Sequence, residues 1–313
     1  MARYRDALPQ LSGDLFLTDG GIETTLIFHE GLELPDFAAF VLLRDNGGRA
    51  ALEKYFRTHA AIATRLGVGF VLESATWRAS PDWAQKLGFT IEELADANRQ
   101  SIELLGRLRG ELEGDGPPMV ISGCIGPRGD GYDPAVLMGA EEAEDYHCMQ
   151  ARLFADTDAD MVTAVTMTHV GEAAGVARAA RAAGMPVVIS FTVETDGSLP
   201  SGQPLADAIV EVDSATDAAP AYYMINCAHP THFSDALDAG ASWTQRIRGI
   251  RANASRMSHA ELDEATELDD GDPAEFASLY RELRRRLHHI NVLGGCCGTD
   301  HRHIEAVGKA CID

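Results

Sequence analysis

Three cysteines stand in sequence contexts that suit metal chemistry. Cys296 and Cys297 are adjacent in the glycine-rich turn Leu293–Thr299, and Cys227 directly follows the apolar run Ala221–Asn226. Adjacent cysteines are too crowded to pair easily with each other, but both sulfurs can turn toward one soft cation. Three thiolates and one open position form the ligand set of a catalytic zinc that holds and activates a fourth sulfur. The alternative is three unrelated cysteines buried in an ordinary core.

Composition narrows the class of protein. The chain of 313 residues is 45% hydrophobic and 24% charged, which suits a globular enzyme with a sizeable core. Its length allows one large α/β barrel or two medium domains. The net charge of −22 argues against a nucleic-acid partner, because a phosphate backbone is bound by a basic surface. An acidic surface does not by itself establish a ligand.

The same sequence predicts a cytoplasmic protein without a membrane segment. No apolar run approaches the roughly 18 residues of a membrane span, and residues 1–6 lack the apolar core of a secretory signal. Six cysteines in a chain of this length do not form a disulfide scaffold. Metal binding or nucleophilic chemistry therefore explains the unusual cysteines better.

Short apolar runs alternate with longer, helix-favouring stretches along the whole chain. The runs have the continuous apolar character of strands buried on both faces of a parallel sheet. The predicted strands are Leu15–Asp19, Val68–Ser74, Met119–Cys124, Met161–Thr166, Pro186–Val193, Tyr222–Cys227, Ile247–Ala252 and Asn291–Gly294. The predicted helices are Ala50–Leu66, Ile91–Leu112, Glu141–Thr157, Glu172–Ala183, Leu205–Thr216, Thr231–Ala239, Ala274–Leu287 and His301–Ala310. Eight alternations favour an α/β fold, a single (β/α)8 TIM barrel, over a doubly wound sheet.

This architecture tests the zinc hypothesis independently. Active sites of such barrels form at the carboxyl ends of the strands. Cys227 ends the sixth predicted strand, and Cys296 and Cys297 follow the eighth, so all three are expected at the same face. The polar, acidic segment Asn253–Asp272 is interpreted as a long loop after the seventh strand, which leaves one domain over residues 1–313.

With these elements in place, the chain resembles the zinc-dependent homocysteine S-methyltransferases, a family that includes betaine- and S-methylmethionine-using enzymes. The segment Thr18–Leu26 resembles the family's first-strand signature, and Gly126–Tyr132 resembles its Gly-Pro turn after the third strand. Ile225–Cys227 and Gly294–Gly298 are similar to the two segments that carry the zinc ligands. The matches run over nearly the whole chain, and the cysteine motifs are the most specific of them.

The resemblance implies a chemistry and its participants. It implies Zn²⁺ held by Cys227, Cys296 and Cys297, and a thiolate acceptor that attacks the methyl group of a cationic donor. The acceptor is expected to be homocysteine, which gives methionine, and the donor S-methylmethionine, S-adenosylmethionine or a betaine-like compound. Activation is needed because a free thiol with a pKa near 8.5 is mostly protonated at neutral pH, and a metal converts it to the thiolate.

One departure from the family pattern concerns the acceptor. Val165 lies in the fourth predicted strand, at the position where the family usually has a Glu that binds the amino group of homocysteine. Glu73, at the end of the second strand, is the candidate replacement, and its alternative is a structural pair with a nearby arginine such as Arg78. Another possibility is an acceptor other than homocysteine, a different thiol or a selenol.

The remaining candidates lie at other strand ends. Asp19 and Glu73 are the candidate catalytic residues, and Asp19 is also expected to bind substrate together with Gly20 and Gly21. The alternative for Asp19 is to cap the turn that follows it. Trp77 is expected to form a cation–π wall for an onium donor, or else simply to pack.

Other residues receive secondary roles. Asn253 is expected to hydrogen-bond the amino-acid part of the substrate, as the resemblance suggests for the end of the seventh strand. His301 and His303 fall in a helical pattern and are assigned to solvent or to the surroundings of the cysteines. Cys124, Cys148 and Cys311 are interpreted as structural. A rival function from another class is a non-catalytic zinc- or thiol-binding barrel, and the sequence leaves the oligomeric state open.

Overall fold

Eight parallel strands close into a barrel in the computed structural model, which describes residues 2–132 and 137–312. Each strand pairs with its sequence neighbours, and β1 pairs with β8 to close the sheet. The strands are β1 Phe16–Leu17, β2 Gly69–Glu73, β3 Met119–Ile125, β4 Met161–Met167, β5 Val187–Thr192, β6 Pro220–Asn226, β7 Ile247–Ala252 and β8 Val292–Gly295. The predicted (β/α)8 barrel is confirmed.

Helices surround the sheet in the described ranges. They are α1 Asn46–Leu66, α2 Pro81–Lys86, α3 Ile91–Leu112, α4 Ala140–Ala155, α5 Val170–Ala182, α6 Leu205–Thr216, α7 Pro230–Phe233, α8 His259–Glu264, α9 Pro273–Arg286 and α10 His301–Cys311. α3 begins with a capping box. The Thr90 side chain accepts from the Glu93 N–H, and the Glu93 side chain accepts from the Thr90 N–H. No helix among the described residues is both long enough and apolar enough to cross a bilayer.

Two apolar layers hold the barrel together. Inside it, side chains from alternate strand positions, among them Phe16, Met161 and Tyr222, meet at the amino-terminal end of the strands. The amino-terminal segment covers that end, where the Gln10 amide donates to the Met161 sulfur and the Tyr222 hydroxyl. A larger layer lies between the sheet and the helices. The closed lower end leaves the carboxyl ends of the strands as the open face.

Two predicted elements are wrong in detail. The expected helix Thr231–Ala239 is only the short α7 followed by the 3₁₀ turn Ser234–Ala236, because the backbone leaves helical geometry at Leu237. The expected loop Asn253–Asp272 contains α8, which begins at a Ser258 capping box.

Candidate zinc and substrate site

The three cysteines of the zinc hypothesis meet at the open face. Their sulfurs all lie within 4.8 Å of one another. Cys297 Sγ is 3.9 Å from Cys227 Sγ. The sulfurs of Cys227 and Cys296 are joined as a disulfide, with Cα atoms 5.4 Å apart. The convergence predicted from the strand order is therefore present, whereas the pairing of two of the thiols was not predicted.

The backbone around the cysteines is built for this approach. Cys227 has a φ of 52°, a conformation that non-glycine residues rarely adopt outside constrained sites, and it turns the chain directly after β6. Its N–H donates to the Arg251 carbonyl, 3.1 Å away. At the other segment, Cys296 N–H donates to Ala252 O at 2.8 Å. A Cβ on Gly294 would lie 1.8 Å from the Thr18 hydroxyl oxygen, so only glycine permits this packing.

The donor set fits a soft metal ion. Tetrahedral zinc with Zn–S bonds of about 2.3 Å separates its sulfur ligands by about 3.8 Å, close to the 3.9 Å between Cys227 and Cys297. Burial raises the pKa of the Cys297 thiol, so a cation is needed to hold it as a thiolate. The disulfide must first be reduced, because only thiolates serve as ligands. Cys227, Cys296 and Cys297 are then the residues that could hold zinc.

A ring of polar contacts orients the cysteine segments. The His259 Nε2–H donates to the Cys227 carbonyl oxygen at 2.7 Å, and Nδ1 lies 3.1 Å from a Glu194 carboxylate oxygen. The same imidazole stacks on the Tyr132 ring, with centroids 4.1 Å apart. The Tyr132 hydroxyl in turn lies 3.4 Å from Cys297 Sγ, within hydrogen-bonding distance for sulfur. Contacts made to residues that carry metal ligands fix the direction of the ligating side chains.

The sulfurs form part of the wall of a small cavity at the carboxyl ends of the strands. The cavity leaves about 90 Å³ for the centres of water-sized molecules, several times what a single water needs. The wall includes Asp19, Glu23, Glu73 and Arg251, with apolar surface from residues such as Val165. The space suits a small polar molecule rather than a large cofactor.

Arg251 organises the charges of this wall. It is buried at the end of β7, and its guanidinium donates to Asp19 Oδ1 at 2.6 Å, to a Glu73 carboxylate oxygen and to Gly295 O at 3.2 Å. Burial lowers its pKa, but the facing Asp19 and Glu73 carboxylates raise it by more, so the group stays charged. Burial also raises the pKa of Glu73, which Arg251 counteracts.

The structure thus places both predicted catalytic carboxylates in the cavity, in an ion-pair network. Asp19 also accepts from the Tyr55 hydroxyl at 3.0 Å. Glu73 accepts from the Ser122 hydroxyl at 3.2 Å. The alternative for Glu73, a structural pair with an arginine such as Arg78, is present with Arg251 as the partner, whereas Arg78 donates to Gly129 O at 2.8 Å.

Only some of the other predicted substrate residues line the cavity. Gly20, Gly21 and Trp77 line the cavity, whereas Asn253 is absent from its wall. The Arg78 guanidinium lies over the Trp77 ring, 4.0 Å from its centroid, so a cation already occupies one face of that ring. Asn253 instead connects the strand ends, with its N–H donating to Ala228 O at 3.1 Å.

The residues assigned away from zinc are also placed. His303 is buried, with Nδ1 3.2 Å from Asp300 Oδ1 at the start of α10, and it is not a sulfur neighbour in the metal-ligand cluster. His301 is exposed on the same helix. Cys124 is buried and lines the cavity, which the structural interpretation did not anticipate, whereas Cys148 and Cys311 lie on helices.

Three cavity residues were missed from the sequence: Arg251, Glu23 and Tyr132. Glu23 and Tyr132 lie inside the segments Thr18–Leu26 and Gly126–Tyr132 that carried the family resemblance, but neither was weighed individually. Arg251 had a usable signal, since it is a charged residue one position before the carboxyl end of a barrel strand.

Comparisons with known proteins agree with this geometry. The family model for homocysteine S-methyltransferase matches residues 16–311. Crystal structures of the homocysteine methyltransferase MmuM from Escherichia coli have the same fold. Its oxidized form is 20% identical with a TM-score of 0.74, and its metallated form is 18% identical with a TM-score of 0.71. Each alignment covers 97% of this chain and 98% of MmuM.

A search among curated proteins gives no significant match. The family model nevertheless spans nearly all of the chain, including both cysteine segments and the first strand. The chain therefore belongs to the homocysteine S-methyltransferase family.

Proposed function

We propose that the protein is a zinc-dependent enzyme that transfers a methyl group from an onium donor to the thiol of homocysteine, giving methionine. The observation that carries this proposal is the meeting of three cysteine sulfurs on the wall of a small, anionic cavity at the catalytic face of the barrel. Family membership supports the acceptor, and the donor set supports the metal.

Cys227, Cys296 and Cys297 would hold the metal. When bound by three thiolates, zinc would supply the positive charge that keeps an acceptor thiol deprotonated at neutral pH. Tyr132 and His259 orient the cysteine segments through the contacts with Cys297 and Cys227. This arrangement limits the directions from which an acceptor sulfur can approach.

The cavity wall performs the remaining tasks. Val165 and Ala39 are buried apolar residues of the wall, and they reduce the water around an acceptor sulfur. Asp19 and Glu73 are held in place by Arg251. The formal charge of these three side chains is negative, which favours cationic groups in the cavity.

The reaction itself is a direct displacement. The acceptor thiol loses its proton to solvent, its sulfur forms a bond to the methyl carbon, and the bond from that carbon to the donor's cationic sulfur or nitrogen breaks. The electron pair of the broken bond stays on the donor's sulfur or nitrogen atom, which becomes neutral. Alignment of the two reactants is the main contribution that protein walls can make to such a step.

The identity of one wall residue favours a second class of acceptor. Val165 lines the cavity and offers neither charge nor hydrogen bond to an amino group. An acceptor thiol or selenol without an amino group is the corresponding alternative. A cytoplasmic location is part of the main proposal, because thiolate ligands persist in a reducing compartment.

The test uses purified, reduced, zinc-loaded protein with donors whose methyl group carries deuterium. S-methylmethionine, S-adenosylmethionine and glycine betaine are each combined with homocysteine, selenohomocysteine or the desamino analogue of homocysteine. Labelled methionine, detected by mass spectrometry, supports the proposal. Labelling of only the desamino product supports the alternative acceptor. Zinc binding with no labelled product from any combination favours a non-catalytic barrel.

A further inference from the structure

The cavity contains one carboxylate that the structure leaves without a cationic partner. Asp19 and Glu73 both bind the Arg251 guanidinium. Glu23 also lines the cavity. Among residues 2–132 and 137–312, no lysine, arginine or histidine forms an ion pair with its carboxylate, since Arg251 pairs with Asp19 and Glu73. Three carboxylates thus face one guanidinium, and the wall carries an unbalanced negative charge.

The position of Glu23 is fixed by the cysteine turn. A Cβ on Gly21 would lie 2.6 Å from the Cys296 carbonyl oxygen, so this glycine packs directly on the turn. On the other side of Glu23, the Thr24 hydroxyl accepts from the Gly298 N–H at 2.9 Å. These two contacts hold residues 21–24 against the cysteine segment.

Arg251 and Arg78 are near enough to lower the pKa of Glu23, but both arginines form their ion pairs with other carboxylates. The Arg251 guanidinium is occupied by two other carboxylates. Arg78 lies between the Trp77 and Trp83 rings, donates to Gly129 O and is 3.7 Å from an Asp130 carboxylate oxygen. A carboxylate that faces the cavity without an ion-pair partner is costly, and a cationic ligand removes that cost.

We infer that Glu23 receives the ammonium group of the amino-acid acceptor and thereby selects homocysteine over thiols that lack an amino group. This inference rests on the proposed function and deepens it. It replaces the sequence-based assignment of that role to Glu73, whose carboxylate already binds Arg251. Val165, another residue of the wall, contributes no charge.

The test compares Glu23→Gln with the parent on two acceptors, homocysteine and its desamino analogue. Loss of a charged hydrogen bond to the ammonium should raise both the KM and the calorimetric Kd for homocysteine by about 10- to 100-fold. The kcat and the KM for the desamino analogue and for the donor should change by less than about two-fold. Glu33→Gln, an exposed change of the same chemistry outside the cavity, serves as the matched control and should behave as the parent.

Each other outcome overturns the inference. An unchanged KM for homocysteine in Glu23→Gln, or an equal rise for both acceptors, shows that Glu23 does not recognise the amino group. A rise confined to the donor places the carboxylate against the onium group instead. If the parent neither binds nor methylates homocysteine, the proposed function itself fails. Glu23→Ala with a matching thermal unfolding midpoint separates a binding effect from misfolding.

Discussion

Replacement of Arg251 by Met tests the charge network that shapes the cavity. The change removes the partner of two buried carboxylates, Asp19 and Glu73, each less than one-tenth exposed. Removal of one member of a buried ion pair costs about 3–5 kcal/mol. We therefore expect urea unfolding to show a free energy of unfolding that is lower by this amount. The thermal midpoint should fall by about 5–10 °C for a chain of this size. Arg248→Met, on the same strand without an ion pair among the described residues, is the control.

The loss should depend on pH in a defined direction. Burial already raises the pKa of Glu73, and removal of Arg251 raises it further. A carboxyl whose pKa is higher in the folded state destabilises that state as the pH rises through its folded value. The deficit of Arg251→Met should therefore be smaller near about pH 5 than near about pH 8. In the double variant with Glu73→Gln, about 1–3 kcal/mol should return, since one unpaired charge is gone.

A different result would refute this reasoning. A deficit below about 1 kcal/mol, equal at both pH values and equal to that of Arg248→Met, means that the carboxylates do not depend on Arg251. A double variant as unstable as the single one means that Glu73 is satisfied by its hydroxyl neighbours alone.

Three further changes test the site. Glu23→Gln should raise the free energy of unfolding at about pH 8 and leave it unchanged at about pH 4. The reason is that burial raises the pKa of Glu23 from 4.5 to about 7, so that its ionised form destabilises the fold. Equal urea midpoints for variant and parent at both pH values would contradict this expectation. Gly21→Ala should displace the Cys296 carbonyl, only 2.6 Å from the new Cβ, and lower the zinc content measured by elemental analysis; full zinc content with parental activity refutes the packing argument. Tyr132→Phe removes the hydroxyl 3.4 Å from Cys297 Sγ and should weaken zinc binding by about ten-fold in competition with a chelator, whereas unchanged competition means that this contact does not tune the metal site.

The barrel was predictable because its signals are local and repeat. Each strand is a short apolar run, and a helix-favouring stretch follows it. Thr90 and Glu93, three positions apart, mark a helix start, and the capping box is present. The helix expected at Thr231–Ala239 failed because its propensities are weak, so packing decided the geometry there. The single domain over residues 1–313 stays a prediction.

The order of the strands predicted which residues share the site but not how their charges pair. Strand order brought Cys227 to Cys296 and Cys297, because the carboxyl ends of all strands share one face. The sequence does not show which charge pairs with which across the barrel. Glu73 binds Arg251, which is far from it along the chain, rather than the nearby Arg78.

We propose that the three cysteines hold a zinc that serves methyl transfer to homocysteine. The most direct measurement is formation of labelled methionine from homocysteine and a deuterium-labelled onium donor, with zinc content determined on the same samples of parent and Cys297→Ala. We predict about one zinc per chain and labelled methionine for the parent. Cys297→Ala should lose most of the zinc and all of the product while keeping its circular-dichroism spectrum, since a barrel of this size does not depend on metal for its core. Full zinc content and parental turnover in Cys297→Ala would show that the three cysteines do not hold a catalytic zinc.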